Sequence, residues 1–414
     1  MIQDLLTYLD SSPTAFHAVA RGVEILEKAG FTELKEKDSW GLTEAGKYYI
    51  IRGGSLAAFV WREKKPLMIA GAHTDSPGLK LKPNPEIQLG DFKTLGIEVY
   101  GGPLLHTWFD RDLGLAGRIE YVAGETQKNC LVHFTESIVS IPSLAIHLNR
   151  NANDGWKINP QTEMPVILSV GPENDQSFND LLLSEVQKQD AAATKILDSD
   201  IFVVPTEASK LVGLHKEMIN APRLDNLLSC FAGLMAITKA NGRQTNILIL
   251  NDHEEVGSES FSGASGNFLQ TLIRRICGDM ELEQRLISES LMVSVDGGHA
   301  LHPNYKDKHD TNHGPKINGG PILKSNANLR YASQPSANAK LMLLAEKAGL
   351  TLQRFVVKAG EGCGSTIGPI SSALTGIETV DIGAAMLAMH SIRESCGSQD
   401  ATDLSSLLTE LYNQ

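Results

Sequence analysis

Apolar positions along this chain recur at two spacings, and the alternation between them lays out the elements. Phe16, Val19, Val23 and Leu26 fall three and four apart after Ser12-Pro13, which predicts a helix with one apolar face, closed by Gly30. Tyr48 to Arg52, Leu56 to Trp61 and Leu67 to Ala70 are short runs rich in apolar residues and read as strands. From Lys80 the texture changes. Pro83, Pro85, closely spaced glycines and alternating runs such as Gly96 to Tyr100 and Val166 to Val170 predict a mostly β segment, in which the polar stretch Asp175 to Ala193 fits one helix. Beyond Val203-Val204-Pro205 the two periods alternate again. Helices are predicted over Asn226 to Ala240, across Phe268 to Ser288, over Pro335 to Ala348 and over Thr402 to Tyr412. Strands are predicted at Ile247 to Leu250, Leu291 to Val295, Leu352 to Val357 and Thr379 to Ile382. Such alternation predicts an α/β fold, a mostly parallel mixed sheet with helices on both faces. Residues 1–85 and 215–414 would form it, interrupted by the β-rich residues 86–214.

At 414 residues the chain exceeds the length at which one core usually stops growing, in keeping with a second domain. A net charge of -12 argues against nucleic acid and anionic membrane as partners, because both select basic faces. Cys130, Cys230, Cys277, Cys363 and Cys396 are odd in number, widely spaced and free of any CxxC pair. Neither a disulfide framework nor a thiolate zinc site is expected, and a reducing cytoplasm fits. Met1 to Leu6 is an amphipathic start with an early acid and no basic leader, and no apolar run approaches the roughly 18 residues a membrane helix needs. The expectation is a soluble chain that is not exported.

The chemistry-bearing residues sit where the predicted strands end. Asp252-His253-Glu254-Glu255 follows directly on the continuous apolar run Ile247 to Leu250, and α/β proteins hold ligands at such strand ends. Adjacent carboxylates raise one another's pKa unless a cation holds them, so one as metal ligand and one as free base is the economical arrangement; a solvated acidic turn is the alternative. His73-Thr74-Asp75 closes another strand, and an aspartate two residues on can accept the hydrogen bond of the ring nitrogen that does not face a metal. Asp296 ends the Leu291 to Val295 run, just before Gly297-Gly298. Singly, Asp225 reads as the N-cap of the helix that follows it, and His390 as a buried, satisfied histidine. Together, two histidines and several carboxylates at the ends of different elements form the ligand set of hard or borderline divalent metals.

These motifs resemble, nearly end to end, the M18 family of metalloaminopeptidases, aspartyl aminopeptidase among them. The marks are Ala72-His73-Thr74-Asp75-Ser76, Trp108 to Leu113, Pro222-Arg223-Leu224-Asp225-Asn226 and Asp252 to Ser258. Further along come Asp296 to Tyr305, Arg330-Tyr331-Ala332, Cys363 to Pro369 and Met389 to Glu394. The resemblance implies a zinc-peptidase-like catalytic domain, with the β-rich insertion as a dimerisation domain. It implies two divalent ions per subunit, zinc with cobalt or manganese as alternatives. His73, Asp225 and Asp296 would hold one ion and Asp225, Glu255 and His390 the other, with Asp225 shared. Glu254 is then the carboxylate that moves the proton, and Asp75 orients His73. His299, Lys324 and Tyr331 would face the substrate, Lys324 either receiving an acidic side chain or stabilising developing charge. His147, within Ile141 to Arg150, would be lent to the site of a neighbouring subunit in a dodecamer assembled from dimers; by its setting alone it reads as a buried histidine on an apolar stretch.

The implied activity is removal of an N-terminal residue, acidic by preference, from peptides. A deacylase, or an aminopeptidase of neutral preference, would keep the metal set and change the pocket around Lys324. A non-catalytic assembly protein stabilised by metal would have no use for a free Glu254 beside it. Residues 171–193 carry no mark of the family.

Overall fold

A computed structural model describes residues 1–171, 176–241 and 243–414, which fall into two compact units. One comprises Met1–Ser76, Ser209–Met389 and Arg393–Gln414; the other comprises Pro77–Ala208 and His390–Ile392.

The first unit is built on a nine-stranded sheet. Its order is Thr32–Glu33, Lys47–Arg52, Ser55–Val60, Thr245–Asn251, Leu67–His73, Leu291–Val295, Glu378–Gly383, Ile322–Lys324 and Gln353–Phe355. The four strands from Thr245–Asn251 to Glu378–Gly383 are mutually parallel, while Ser55–Val60 and Ile322–Lys324 pair antiparallel on either side of them. Every residue of Thr245–Asn251 is buried, as a strand covered on both faces requires. Because side chains alternate along a strand, the sheet feeds two cores. Ala58, Val60, Ala70, Ala72, Leu248, Leu250, Val293 and Val295 pack with the helices Ile2–Asp10, Ala15–Lys28, Leu224–Thr238, Pro335–Lys347 and Ser398–Tyr412. Ala57, Phe59, Ile69, Ile247, Ile249 and Met292 pack with Phe268–Cys277, Met280–Glu289 and Ile367–Thr375. The Leu224–Thr238 helix is buried on nearly all sides, and its apolar residues accordingly run around it without a stripe.

Two features of this unit escape the periodic pattern. A five-stranded sheet joins Lys210–Val212, Met218–Ala221, Glu394–Gly397, Ala385–Leu387 and Gly298–His299, strands of two to four residues that are too short to show a period. The Ile367–Thr375 helix is hidden behind Gly368-Pro369 and identifies itself only through its cap, where Thr366 Oγ1 accepts the Gly368 amide.

The second unit is a six-stranded antiparallel sheet in the order Thr126–His133, Leu113–Ala123, Ala193–Pro205, Gly78–Leu89, Phe92–Tyr100 and Val166–Val170. Its core includes Leu79, Leu115, Ile119, Val166 and Val203. The helix expected over 175–193 spans Phe178–Gln187, opened by a capping box between Ser177 and Asp180 and anchored by Phe178, Leu182 and Val186. Asp175 lies outside the described residues, and Ala193 already belongs to a strand.

Asp400, in the first turn of the last helix, is fully buried and accepts the Asn318 amide at 2.7 Å and the Gly320 amide at 3.2 Å. It thereby fixes the chain that enters the Ile322–Lys324 strand. Asp400→Ala leaves two buried N–H groups without an acceptor and is expected to lower unfolding stability by about 2–4 kcal/mol in a urea titration. Burial pushes the Asp400 carboxyl up to about 6, so the folded chain favours its protonated form. Stability from this group is full below about pH 4 and lost as pH rises through about 6; Asp400→Asn should remove that slope.

Candidate active site

Three parallel strands deliver ionisable residues to one edge of the sheet. His73 is the last residue of Leu67–His73 and pairs with Asn251, so Asp252 and the short Glu254–Val256 turn emerge beside it. Ser294 stands opposite Gly71, which brings Asp296, two residues on, level with His73. The backbone approach here is close: a Cβ on Gly383 would lie 1.8 Å from the Asp296 carbonyl oxygen. Asp225 arrives from a different direction. The helix is capped at Arg223, and the Asp225 backbone is extended (φ -82, ψ 104) at a kink just inside the helix entrance. Three bonds set this bend. The Asp225 amide donates to Glu394 Oε2 at 2.9 Å, Ser76 Oγ donates to the Asp225 carbonyl at 2.7 Å, and Asn226 Nδ2 donates to the Val295 carbonyl at 2.8 Å.

His73 Nε2 lies 3.5 Å from Asp225 Oδ1 and 3.6 Å from Asp296 Oδ2, all three side chains being buried. Those separations are long for hydrogen bonds. They suit ligands of one ion, since donors about 2.1 Å from a tetrahedral zinc stand roughly 3.4 Å apart. The residues therefore fit a divalent metal. Burial disfavours the charged imidazole, but Asp225, Asp296 and Asp75 outweigh it and hold the His73 pKa well above its ordinary value, a measure of how strongly this pocket draws a cation. The ring is oriented by Nδ1, which lies 3.0 Å from the Asp75 carbonyl and 3.3 Å from its carboxylate. A proton on Nδ1 leaves Nε2 as the ligand atom. The His73 carbonyl in turn accepts Cys230 Sγ at 2.9 Å.

Asp75 does more than the sequence pattern predicts. Its two carboxylate oxygens accept the Glu254 and Glu255 amides, each at 3.1 Å, so one residue holds both the histidine and the turn that carries the paired glutamates. Donor atoms of His73, Glu254 and Glu255 also lie within 4.8 Å of one another. Burial, followed by the charges of Asp296, Asp225 and Asp75, pushes the Glu254 carboxyl up to about 7 against the pull of His73. His253, left-handed at φ 63, turns away toward Ser260, with Nδ1 2.8 Å from Ser260 Oγ.

Lys324 is buried, and its Nζ donates to Asp296 Oδ1 at 2.8 Å and stands 5.2 Å from the Tyr331 ring. Tyr331 is buried as well, and its phenol is raised by burial and by Cys363. His299 is exposed and edges onto Phe355 at 6.0 Å. It borders a cavity of about 310 Å³ whose other walls include Phe355, Val357, Met386, Lys308 and Lys358.

Two predicted residues lie in the second unit. His390 adopts φ 68, and its Nδ1 lies 3.0 Å from the Gly102 carbonyl. His147 is exposed rather than buried: it sits on an irregular segment among exposed Leu144, Ile146 and Leu148, because the apolar side chains there face outward. The root of that segment is tied down where Ser143 N and Oγ donate to the Asp110 carboxylate. Glu394, Ser76, Asn226 and Cys230 are supporting residues that the sequence reading leaves without a role; the first three lie inside quoted motifs, and Cys230 had no signal at all.

A mostly parallel sheet that gathers a histidine and carboxylates at its strand ends defines a metal-dependent hydrolase. The model of the family described as aminopeptidase I zinc metalloprotease (M18) matches residues 8–412, and the chain belongs to that family. It is 47% identical over 415 aligned residues to a probable M18 family aminopeptidase 2 of Pseudomonas entomophila, covering 99% of this chain and 97% of that one. A Pseudomonas aeruginosa relative of the same description is 46% identical, with the same coverage. Among solved structures, the fold matches one in a cryo-EM structure of the Ape4 and Nbr1 complex (TM-score 0.93, 34% identity, 99% of this chain and 85% of that one). It also matches the S. cerevisiae mApe1 dodecamer (TM-score 0.84, 29% identity, 99% and 95%). The protein is thus an aminopeptidase of the zinc metalloprotease type.

Proposed function

We propose that this aminopeptidase works with two divalent ions per subunit, prefers peptides with an acidic N-terminal residue, and acts as a homo-oligomer in the cytoplasm. The observation that carries the reading is Glu254, a part-buried carboxyl whose turn Asp75 fixes beside the His73, Asp225 and Asp296 donors. His73, Asp225 and Asp296 would hold one ion; Glu255 and His390, with Asp225 shared, are assigned the second by the family resemblance. Such ions, zinc by the family description and cobalt or manganese by the same ligand chemistry, polarise a scissile carbonyl and acidify water. Glu254, the carboxylate this ligand assignment leaves free, would take the proton and return it to the leaving amine. Its amide bond to Asp75 keeps it at that station.

The cavity beside His299 is lined by Lys308 and Lys358 and also by Asp310, and Lys308 is paired with Glu361, so the acidic preference rests on the family resemblance. Lys324 is committed to Asp296, which favours its role on the charge-stabilising side over direct reception of the substrate side chain. Five free cysteines support a reducing compartment. Exposed Leu144 (57%), Ile146 (47%) and Leu148 (76%) around His147 support a surface covered by another subunit, and the mApe1 relative is a dodecamer. His147 would then serve the neighbouring subunit's site, and Tyr331 and His299 the substrate bound in its own.

Glu254→Gln should retain the wild-type metal content by elemental analysis while kcat falls by roughly 10³-fold or more; loss of metal would mean that the two glutamates have exchanged roles. Release of the first residue from Asp-, Glu- and Leu-headed substrates, with and without chelator, tests class and preference together. Activity should vanish with chelator and be highest on Asp or Glu; a Leu preference would replace the acidic reading with the neutral one. His147→Ala and Glu254→Ala should each be nearly inactive, yet regain part of wild-type activity when their subunits are exchanged. No recovery in mixed oligomers verified by mass spectrometry would confine His147 to its own subunit.

A further inference from the structure

Asp381 is a carboxylate in the middle of the Glu378–Gly383 strand, with no solvent exposure and with Val380 and Ile382 as neighbours. Burying an ionised carboxylate costs several kcal/mol unless partners compensate, and an apolar residue would serve a strand interior better. Its partners explain its presence. Oδ1 accepts Thr366 Oγ1 at 2.6 Å and Oδ2 accepts the Ala332 amide, while the Asp381 amide donates to Ser333 Oγ at 2.9 Å. Burial raises its pKa, and the bonds to Thr366 and the Ala332 amide work against that rise. The helix that starts at Ile367 makes room for it: a Cβ on Gly368 would stand 2.4 Å from Oδ2.

Two of these contacts lead toward the site. Ala332 and Ser333 directly follow Tyr331, so the Asp381 carboxylate, through the Ala332 amide, and its backbone amide, through Ser333, pin the segment that presents that ring. We propose that Asp381 is a positioning residue for aminopeptidase catalysis, its carboxylate holding the segment that presents Tyr331. This rests on the reading of the site given above and adds a residue to it.

The test is a double-mutant cycle. Asp381→Asn, which keeps the shape and removes the charge, should lower kcat/KM roughly tenfold or more in the wild-type background and less than about threefold in a Tyr331→Ala background. A residue that merely stabilises the fold would cost the same factor in both backgrounds, and that result overturns the proposal. Thr366→Val, which deletes one bond to Asp381 and leaves the charge, should show the same non-additivity at a smaller amplitude, about threefold against none. It decides the question if Asp381→Asn does not fold, and additive losses there overturn the proposal equally. Wild-type protein without aminopeptidase activity on any substrate would instead overturn the reading of the site itself, before the cycle is begun.

Discussion

Two buried carboxylates, Asp225 and Asp296, face one imidazole nitrogen of His73, and the site can come to rest only with positive charge among them. Much of the surrounding structure follows from that constraint. The parallel register of the central strands sets His73 and Asp296 at one level, where an antiparallel neighbour would have sent the second strand's end to the opposite edge. Asp225 cannot come from a strand, so it is brought in on a kinked helix entrance whose backbone is spent on Glu394 and Ser76. Lys324 then shares the charge of Asp296 from the side away from His73's nitrogen, bonding the other carboxylate oxygen.

How much of this could be read from the sequence depended on the range of the interaction involved. His73, Asp296 and the Glu254-Glu255 turn were legible because each interrupts a continuous apolar run, and the strand ends found there agree with the pattern. The sheet and its helical layers were legible for the same reason, since period and burial coincide in the long elements. Asp225 was not: in isolation it looks like an ordinary cap, and its part in the donor set rests on contacts 149 and 169 residues away along the chain. The strands of the five-stranded sheet hold too few residues for a period, and they were missed. For His147 the setting alone suggested a buried histidine, but an apolar stretch in sequence does not say which way its side chains point, and His147, Leu144, Ile146 and Leu148 are exposed. Asp381 carried no signal, since one acid in a strand looks like noise until its partners from 331–333 and 366 are folded against it.

The layering of support is uneven. The His73 side is over-determined by short, local bonds, whereas Tyr331 and the cavity beside His299 are reached through loops and brief strands. A tightly bonded His73 edge beside a cavity wall carried on loops and brief strands is a division that lets the wall vary without disturbing the edge.

Asp75 shows where such variation must stop. Its carbonyl and carboxylate hold His73 while its two carboxylate oxygens hold the amides of Glu254 and Glu255. The placement of His73 and that of the Glu254-Glu255 turn are therefore one variable and not two. Any change at position 75 therefore moves the histidine and the paired glutamates in the same step, whereas the walls of the cavity beside His299 can vary without it.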